Sequence, residues 1–382
     1  MKEIFLHDDA IISPLGFTTS ENLNALREES SGLRFQKSPK FTSGGFYAGV
    51  IDDQKINDAF SELANPALFT RLEQMLILAI SRILQNNEKI DIPTTGLVIS
   101  TTKGNIEILQ GNTGFPEDRK YLSKLATTVA DFFGFNDPIV ISNACISGGL
   151  ALVVAKRLIN SGRFKQAIVV GGDVVSDFVV SGFRSFMALS DGICKPFSHN
   201  RNGINLGEAA AAIYVSDTSN DLGEHISLAG EGTANDANHI SGPSRTGEGL
   251  YRSIERALKT AGIAAEDLGY ISAHGTGTLY NDEMEAIAFH RSGLELVPVN
   301  SFKAFYGHTL GASALLESII TSRSLLNNEV FKSLHYEGPG VSKPLNIIEE
   351  YGKKEMKYAM KTASGFGGCN IAMIFKKAGY GI

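Results

Sequence analysis

The sequence predicts an α/β fold, a largely parallel sheet covered on both faces by helices. Three observations carry this. Strand-like and helix-like segments alternate along most of the 382 residues, as they do when crossover helices link parallel strands. The strand-like runs, among them 138–142 and 167–172, are short, apolar and rich in β-branched residues, as strands buried on both faces are. One unit also recurs. It reads strand, Cys145, Gly148-Gly149 and small-residue helix in the first half, and strand, His308, Gly311 and small-residue helix in the second. That repeat predicts two similar halves, 1–220 and 221–382, divided in the polar run 216–224, with both post-strand positions near a shared centre.

Taken in order, residues 3–6 and 10–12 read as strand material interrupted by His7-Asp8-Asp9, and 13–16 as a turn. Thr19-Ser20-Glu21 opens an amphipathic helix to about Glu29, and the Gly/Ser-rich stretch 30–50 reads as loop. Apolar residues at helical spacing predict a helix over 69–85; 95–101 is a strand and 122–133 a helix. A core strand at 138–142 runs into a helix at 148–160 that is apolar on nearly every side and therefore buried. Next come strand 167–172, a short helix at 182–190, a polar loop over 196–207 and strand 208–215. The second half reads as strand 226–233, loop 235–244, helix 248–261, strand 268–273 into His274, and helix 282–289. It closes with strand 297–301, helix 310–326, strand 357–362, a glycine-rich turn at 365–368 and strand 371–375.

Composition excludes several functions. A net charge of −6 argues against general nucleic-acid binding, which needs a basic face. Cys145, Cys194 and Cys369 cannot all pair with one another and show no metal-ligand spacing. Free thiols of this kind suit a reducing cytoplasm. The opening Met1-Lys2-Glu3-Ile4-Phe5-Leu6-His7-Asp8-Asp9 is too acidic for a signal peptide, and no run of about 18 apolar residues predicts a membrane span.

The chemistry-bearing positions are Cys145, His274 and His308, each following a strand, where α/β sheets place ligands. A thiol at a helix start meets unpaired N–H groups, which predicts a lowered thiol pKa. His274 and His308 are each followed by glycines and small residues, so backbone and substrate can approach closely. The other histidines, at 7, 199, 225, 290 and 335, lie in polar contexts, and His239 lies in a loop as a structural hydrogen-bonder.

Asn143-Ala144-Cys145-Ile146-Ser147, His274-Gly275-Thr276-Gly277-Thr278 and Lys303-x4-His308 together resemble the Cys-His-His signature of β-ketoacyl-acyl carrier protein synthases. Asp282 and Glu285 after the first histidine, Glu317 after the second, and the loop Gly365-Phe366-Gly367-Gly368 add to the resemblance. It runs from Ser13 to the C-terminus and implies a thiolase-like, five-layered αβαβα fold of two pseudo-duplicated halves. It also implies decarboxylative condensation of an acyl group held on Cys145 with a malonyl thioester. Neutral His274 and His308 would stabilise the enolate, with Lys303 and Glu317 setting His308's orientation and protonation. The backbone N–H groups of Cys145 and Phe366 would form the other oxyanion hole. By the same resemblance Thr276 and Thr278 hold the phosphopantetheine arm, Phe366 gates the site and Phe183 lines the acyl pocket. No resident cofactor or metal is implied, since phosphopantetheine arrives on the acyl carrier protein. The implied partners are that acidic carrier, with Arg71, Lys103 or Arg184 as basic contacts, and a second subunit. The second subunit is either an identical chain or a chain-length-factor-like partner.

The sequence departs from the family pattern at His7-Asp8-Asp9-Ala10, Ser198, Asn202, Ser364 and Cys369. None removes a catalytic group, but pocket and gate are altered, which points to a specialised pathway such as polyene or secondary-metabolite synthesis. A thiolase using Cys369 as its acid/base thiol stays open as an alternative. So does a non-catalytic, chain-length-setting role, which the presence of Cys145 opposes, and a Cys-His hydrolase, which leaves His308 and Lys303 unexplained.

Overall fold

The computed structural model describes residues 2–37, 44–111, 113–219, 223–237 and 242–379. The first half runs β1 (Ile4–Ile12), α1 (Thr19–Arg27), β2 (Arg34–Gln36), β3 (Phe46–Gly49), α2 (Asp53–Ser61), α3 (Arg71–Asn86), β4 (Gly96–Ser100), α4 (Leu122–Phe133) and β5 (Ile139–Ile141). It continues with α5 (Ser147–Asn160), β6 (Gln166–Asp173), α6 (Asp177–Ser185), β7 (Leu206–Gly207) and β8 (Ala209–Ser216). The second half holds β9 (His225–Asn235), α7 (Glu248–Ala261), β10 (Leu268–Ser272), α8 (Leu279–Arg291), β11 (Val299–Asn300), α9 (Lys303–Tyr306) and α10 (Ser313–Asn327). It ends with β12 (Glu329–Val330), β13 (Gly352–Lys353), β14 (Tyr358–Gly365) and β15 (Cys369–Ala378).

The duplication is written in the strand order. One half is ordered β1-β8-β6-β4-β5 and the other β9-β15-β14-β10-β11. In both halves the first two pairings are antiparallel and the last two parallel. The two five-stranded sheets join where β1 pairs antiparallel with β9 over Ile4–Leu6. Helices α5 and α10 pack against each other and touch strands of both sheets, while α3 covers β1, β6 and β8 and α7 covers β9 and β15. The layers are therefore helix, sheet, helix pair, sheet, helix, and the middle pair is buried on both of its faces. The division foreseen between residues 220 and 221 lies outside the described residues, as does His239.

Helix ends follow local chemistry. Thr70 and Glu73 form a reciprocal capping box on α3, and Gly134 ends α4 in the left-handed conformation. Several expectations are corrected. Residues 4–12 are one strand with a register shift between Leu6 and Asp9, so His7-Asp8-Asp9 is a bulge, not a break. The stretch read as loop over 30–50 contains β2 and β3, and α2 was not foreseen although Asp52 caps it through its side chain. The 138–142 strand is not a core strand: β5 is half-buried and forms an edge of the sheet. The helix expected over 182–190 spans Asp177–Ser185, because the Ser176 hydroxyl caps its start.

Candidate active site

Cys145, His274 and His308 reach one point from three elements. The turn from β5 into α5 is sharp: Ala144 has φ 45°, a left-handed backbone that costs a β-carbon-bearing residue about 1 kcal/mol or more. Ser147 holds that turn, its hydroxyl donating to Ala144 O at 2.6 Å and accepting the Asn143 N–H at 2.8 Å. The equivalent place in the second half is Gly307, with φ 74°, immediately before His308. A β-carbon at Gly307 would lie 2.2 Å from Leu206 O, so only glycine fits. The Cys145 sulfur and one nitrogen of each histidine all lie within 4.8 Å of one another. The two imidazole rings stand nearly perpendicular at 85°, with centroids 5.1 Å apart.

The proton positions on His308 follow from its partners. Nδ1 accepts the Leu310 N–H at 3.1 Å, so the neutral ring carries its hydrogen on Nε2. That Nε2 is buried and has no hydrogen-bond partner among the described residues, a donor aimed at whatever enters the site. His274 is held through its own backbone. Its N–H and that of Gly275 donate to Glu285 at 2.8 and 2.6 Å, and Asp282 accepts the Thr276 N–H at 2.9 Å. Glu285 is also pushed up to about 7, first by burial and then by Asp282 beside it.

Both histidines are held neutral. Burial drives His308 down to about 3 and the cations Lys303 and Lys361 act the same way, against an opposing pull from Glu317. His274 is lowered well below the ordinary value by burial, Lys303, His308 and Lys361. Behind the rings Lys303 Nζ donates to Glu317 Oε1, which also accepts the Ser313 hydroxyl at 3.0 Å, and Lys361 Nζ lies 2.5 Å from Oε2.

The low value of His308 has a consequence for stability. Below about pH 6.5 an unfolded histidine takes up a proton that folded His308 refuses, so folding stability is lost as pH falls from about 6.5 to about 3. Comparing His308→Asn with the parent by urea unfolding removes the opposing contribution of the carboxyls. The stability difference should move in the variant's favour by roughly 1 kcal/mol per pH unit between about pH 6 and pH 4. Parallel pH profiles for the two proteins would show that His308 titrates normally.

The expectation of a lowered Cys145 pKa is overturned. Burial pushes the thiol up to about 12, and Cys369 nearby adds to this, while the Phe366 N–H and Lys303 oppose it. The cost of removing a thiolate from water exceeds what a helix terminus returns. The sulfur is therefore a thiol at rest. The Phe366 N–H is directed at it, and the end of β14 lies beside Cys145 N. A β-carbon built on Gly365 would lie 2.9 Å from that nitrogen.

A cavity of about 360 Å³ opens on the trio, lined among others by Phe183, Thr276, Thr278, Ser364 and Phe366. Phe366 is 37% exposed and stacks near Phe183 and Phe186, with centroids 5.6 and 5.3 Å away. The Thr276 and Thr278 hydroxyls lie 2.9 Å apart on one wall. Lys103 and Arg184 are exposed, but Arg71 is bound up with Glu208 and Asp53 and is removed from the basic contacts expected for a carrier. Cys369 is buried against Asn143 O and Phe366 O and does not line the cavity.

Three buried residues escaped the sequence reading: Lys361, Asp173 and Asn205. Asp173 accepts from Thr101, Thr102 and the Gly311 N–H, at 2.7 to 2.9 Å, and so ties the end of β6 to the His308 loop. Asn205 O accepts the His308 N–H at 2.7 Å. The one signal for Asp173 was an acidic residue closing an otherwise apolar strand.

Models of the N-terminal and C-terminal domains of β-ketoacyl synthases match residues 12–220 and 225–337. The chain belongs to the β-ketoacyl synthase family. One relative, 3-oxoacyl-acyl-carrier-protein synthase 2 of Staphylococcus aureus, is 31% identical over 249 residues, 61% of this chain and 60% of that one. A putative mitochondrial 3-oxoacyl-acyl-carrier-protein synthase of Schizosaccharomyces pombe is 27% identical, with 99% of each chain covered. In fold the chain is similar to a ketosynthase solved in complex with its chain length factor from Xenorhabdus doucetiae. The TM-score is 0.84 at 24% identity, covering 99% of this chain and 98% of that one. Among the described residues no helix is long and apolar enough to cross a membrane.

Proposed function

We propose that the protein is a β-ketoacyl-acyl carrier protein synthase, an acyltransferase that joins an acyl group to malonyl-acyl carrier protein with loss of CO2. One observation carries this reading: a cysteine sulfur and two imidazole nitrogens within 4.8 Å of one another, opening on an apolar cavity. The Cys145 sulfur attacks the acyl thioester carbonyl, whose oxygen accepts from the backbone N–H groups of Cys145 and Phe366. The pantetheine sulfur leaves with the thiol's proton. The malonyl thioester then places its carbonyl oxygen against His274 and the Nε2–H of His308. Its C–CO2⁻ bond breaks, CO2 departs, and the electron pair becomes an enolate. The enolate carbon attacks the acyl carbonyl on Cys145, a carbon–carbon bond forms, and the Cys145 sulfur leaves. Preplaced donors contribute roughly 3 kcal/mol each to such a step.

Neutrality of both rings supports this chemistry, because an imidazolium would protonate the enolate carbon. Thr276 and Thr278 would hold the phosphopantetheine arm, which arrives on the carrier, so the reading needs no resident cofactor. The carrier is the macromolecular partner, and a second subunit, identical or chain-length-factor-like, completes the assembly by analogy with the Xenorhabdus complex. The three buried, free cysteines suit a reducing, cytoplasmic setting. Altered Ser364, Asn202 and Cys369 around the site support a specialised pathway over housekeeping fatty-acid synthesis. The thiolase reading loses its second thiol, because Cys369 is outside the cavity.

The test is CO2 release from malonyl-carrier by the purified protein in the presence of an acyl-carrier. Stoichiometric CO2 and β-ketoacyl product are expected. Condensation of acetyl-CoA alone, without CO2 and lost in Cys369→Ala, would instead establish the thiolase.

A further inference from the structure

Lys361 lies in the middle of β14, fully buried, and no step above assigns it a role. Its ammonium group is 2.5 Å from Glu317 Oε2 and donates to Ser272 O at 3.1 Å and Ala273 O at 2.8 Å. Those carbonyls end the strand that delivers His274, and β14 is in register with it at Ser272. Glu317 is the carboxylate that holds Lys303 beneath His308. One ammonium thus joins the strand end carrying one histidine to the ion pair behind the other.

We infer that Lys361 is a positioning residue for the condensation, tying the strand end that carries His274 to the ion pair beneath His308. This rests on the proposed synthase activity. A buried lysine is expensive unless the site uses its charge. Lys303 takes Glu317 Oε1, while Lys361 takes Oε2 and also faces the buried Glu285. The enolate gives that charge a further use. Negative charge develops on a thioester oxygen at the two rings, and a fixed cation behind them stabilises it without donating a proton. The same cation opposes protonation of the rings, and Lys361 is itself held down to about 8, chiefly by burial. The other groups facing this centre are Cys145 before α5, Lys303 on α9, Glu317 on α10, and Asp282 and Glu285 on α8. Asp173 closes β6, and Arg201 lies beside Asp282. Of the cations among them, Lys303 and Lys361 act on both rings.

The experiment compares wild type, Lys361→Met and Lys361→Gln in single-turnover acylation, CO2 release and condensation across pH. Cys145 acylation should be unchanged in the variants. The kcat for condensation should fall roughly 10- to 100-fold, the scale of lost outer-shell partners, with KM for malonyl-carrier little altered. The acid limb of the rate profile should also move to higher pH. A merely structural lysine would lower acylation and condensation together and leave the pH limb in place, and that result overturns the inference. Histidine ¹⁵N spectra of the wild type supply a readout that needs no variant. His274 and His308 should stay neutral well below the ordinary histidine value of about 6.5, and either ring titrating near that value overturns the inference as well. Wild type releasing no CO2 from malonyl-carrier would refute the synthase reading itself. Normal wild-type release with unperturbed variants refutes Lys361's role alone.

Discussion

Cys145→Ala is expected to abolish the acyl-enzyme and to lower condensation by roughly 10⁴-fold or more, the scale of removing a covalent nucleophile. Mass spectrometry after incubation with acyl-carrier should show an adduct on the parent and none on the variant. The variant is informative for what it keeps. His274 and His308 do not depend on the sulfur for position: Glu285 holds the His274 backbone, and Leu310 N–H and Asn205 O hold His308. Both donors therefore still face a malonyl thioester, and CO2 release should persist, uncoupled from bond formation, with the enolate taking a proton from water. Cys145 is buried and the cavity is apolar, so the missing sulfur leaves a small void and no stranded charge. The variant should unfold at nearly the parent temperature. Adduct formation at another cysteine, with condensation intact, would show that the nucleophile lies elsewhere.

What could be read in the chain before its fold was known divides along physical lines. The meeting of Cys145, His274 and His308 was legible because each follows a strand, where α/β sheets place ligands, and small flanking residues mark such places. The duplication was legible too, since a helix squeezed between two sheets must be small and apolar wherever it occurs. Lys361 was not. In Tyr358-Ala359-Met360-Lys361-Thr362 a lysine reads as the solvent face of a strand, and only α10 packed on β14 makes it a buried cation. The Cys145 pKa failed for a related reason. The helix start is a local feature, but burial is set by residues far away in the chain, and burial dominates. Edge position is likewise a property of the whole sheet, so the apolar run at β5 looked like core. The start of α6 is different: Ser176 before Asp177 is a capping signal readable in the sequence itself.

His308→Ala should separate the two half-reactions. Acylation of Cys145 uses the sulfur and the backbone donors of Cys145 and Phe366, none of which His308 holds in place. The rate of adduct formation should stay within about threefold of the parent. Decarboxylation and condensation should both fall by roughly 10²- to 10³-fold, the effect of deleting one preplaced donor to a developing oxyanion. His308→Asn sharpens the reading. Its amide oxygen can accept the Leu310 N–H that Nδ1 accepts now, and its NH2 points a donor toward the place of Nε2. It should therefore recover part of the lost rate, and it cannot become positively charged at low pH. If His308 instead served as the base that activates Cys145, the adduct would fail to form in both variants. Acylation falling in step with condensation is the outcome that reverses the assignment, and rapid-quench kinetics with labelled acyl-carrier distinguishes the two.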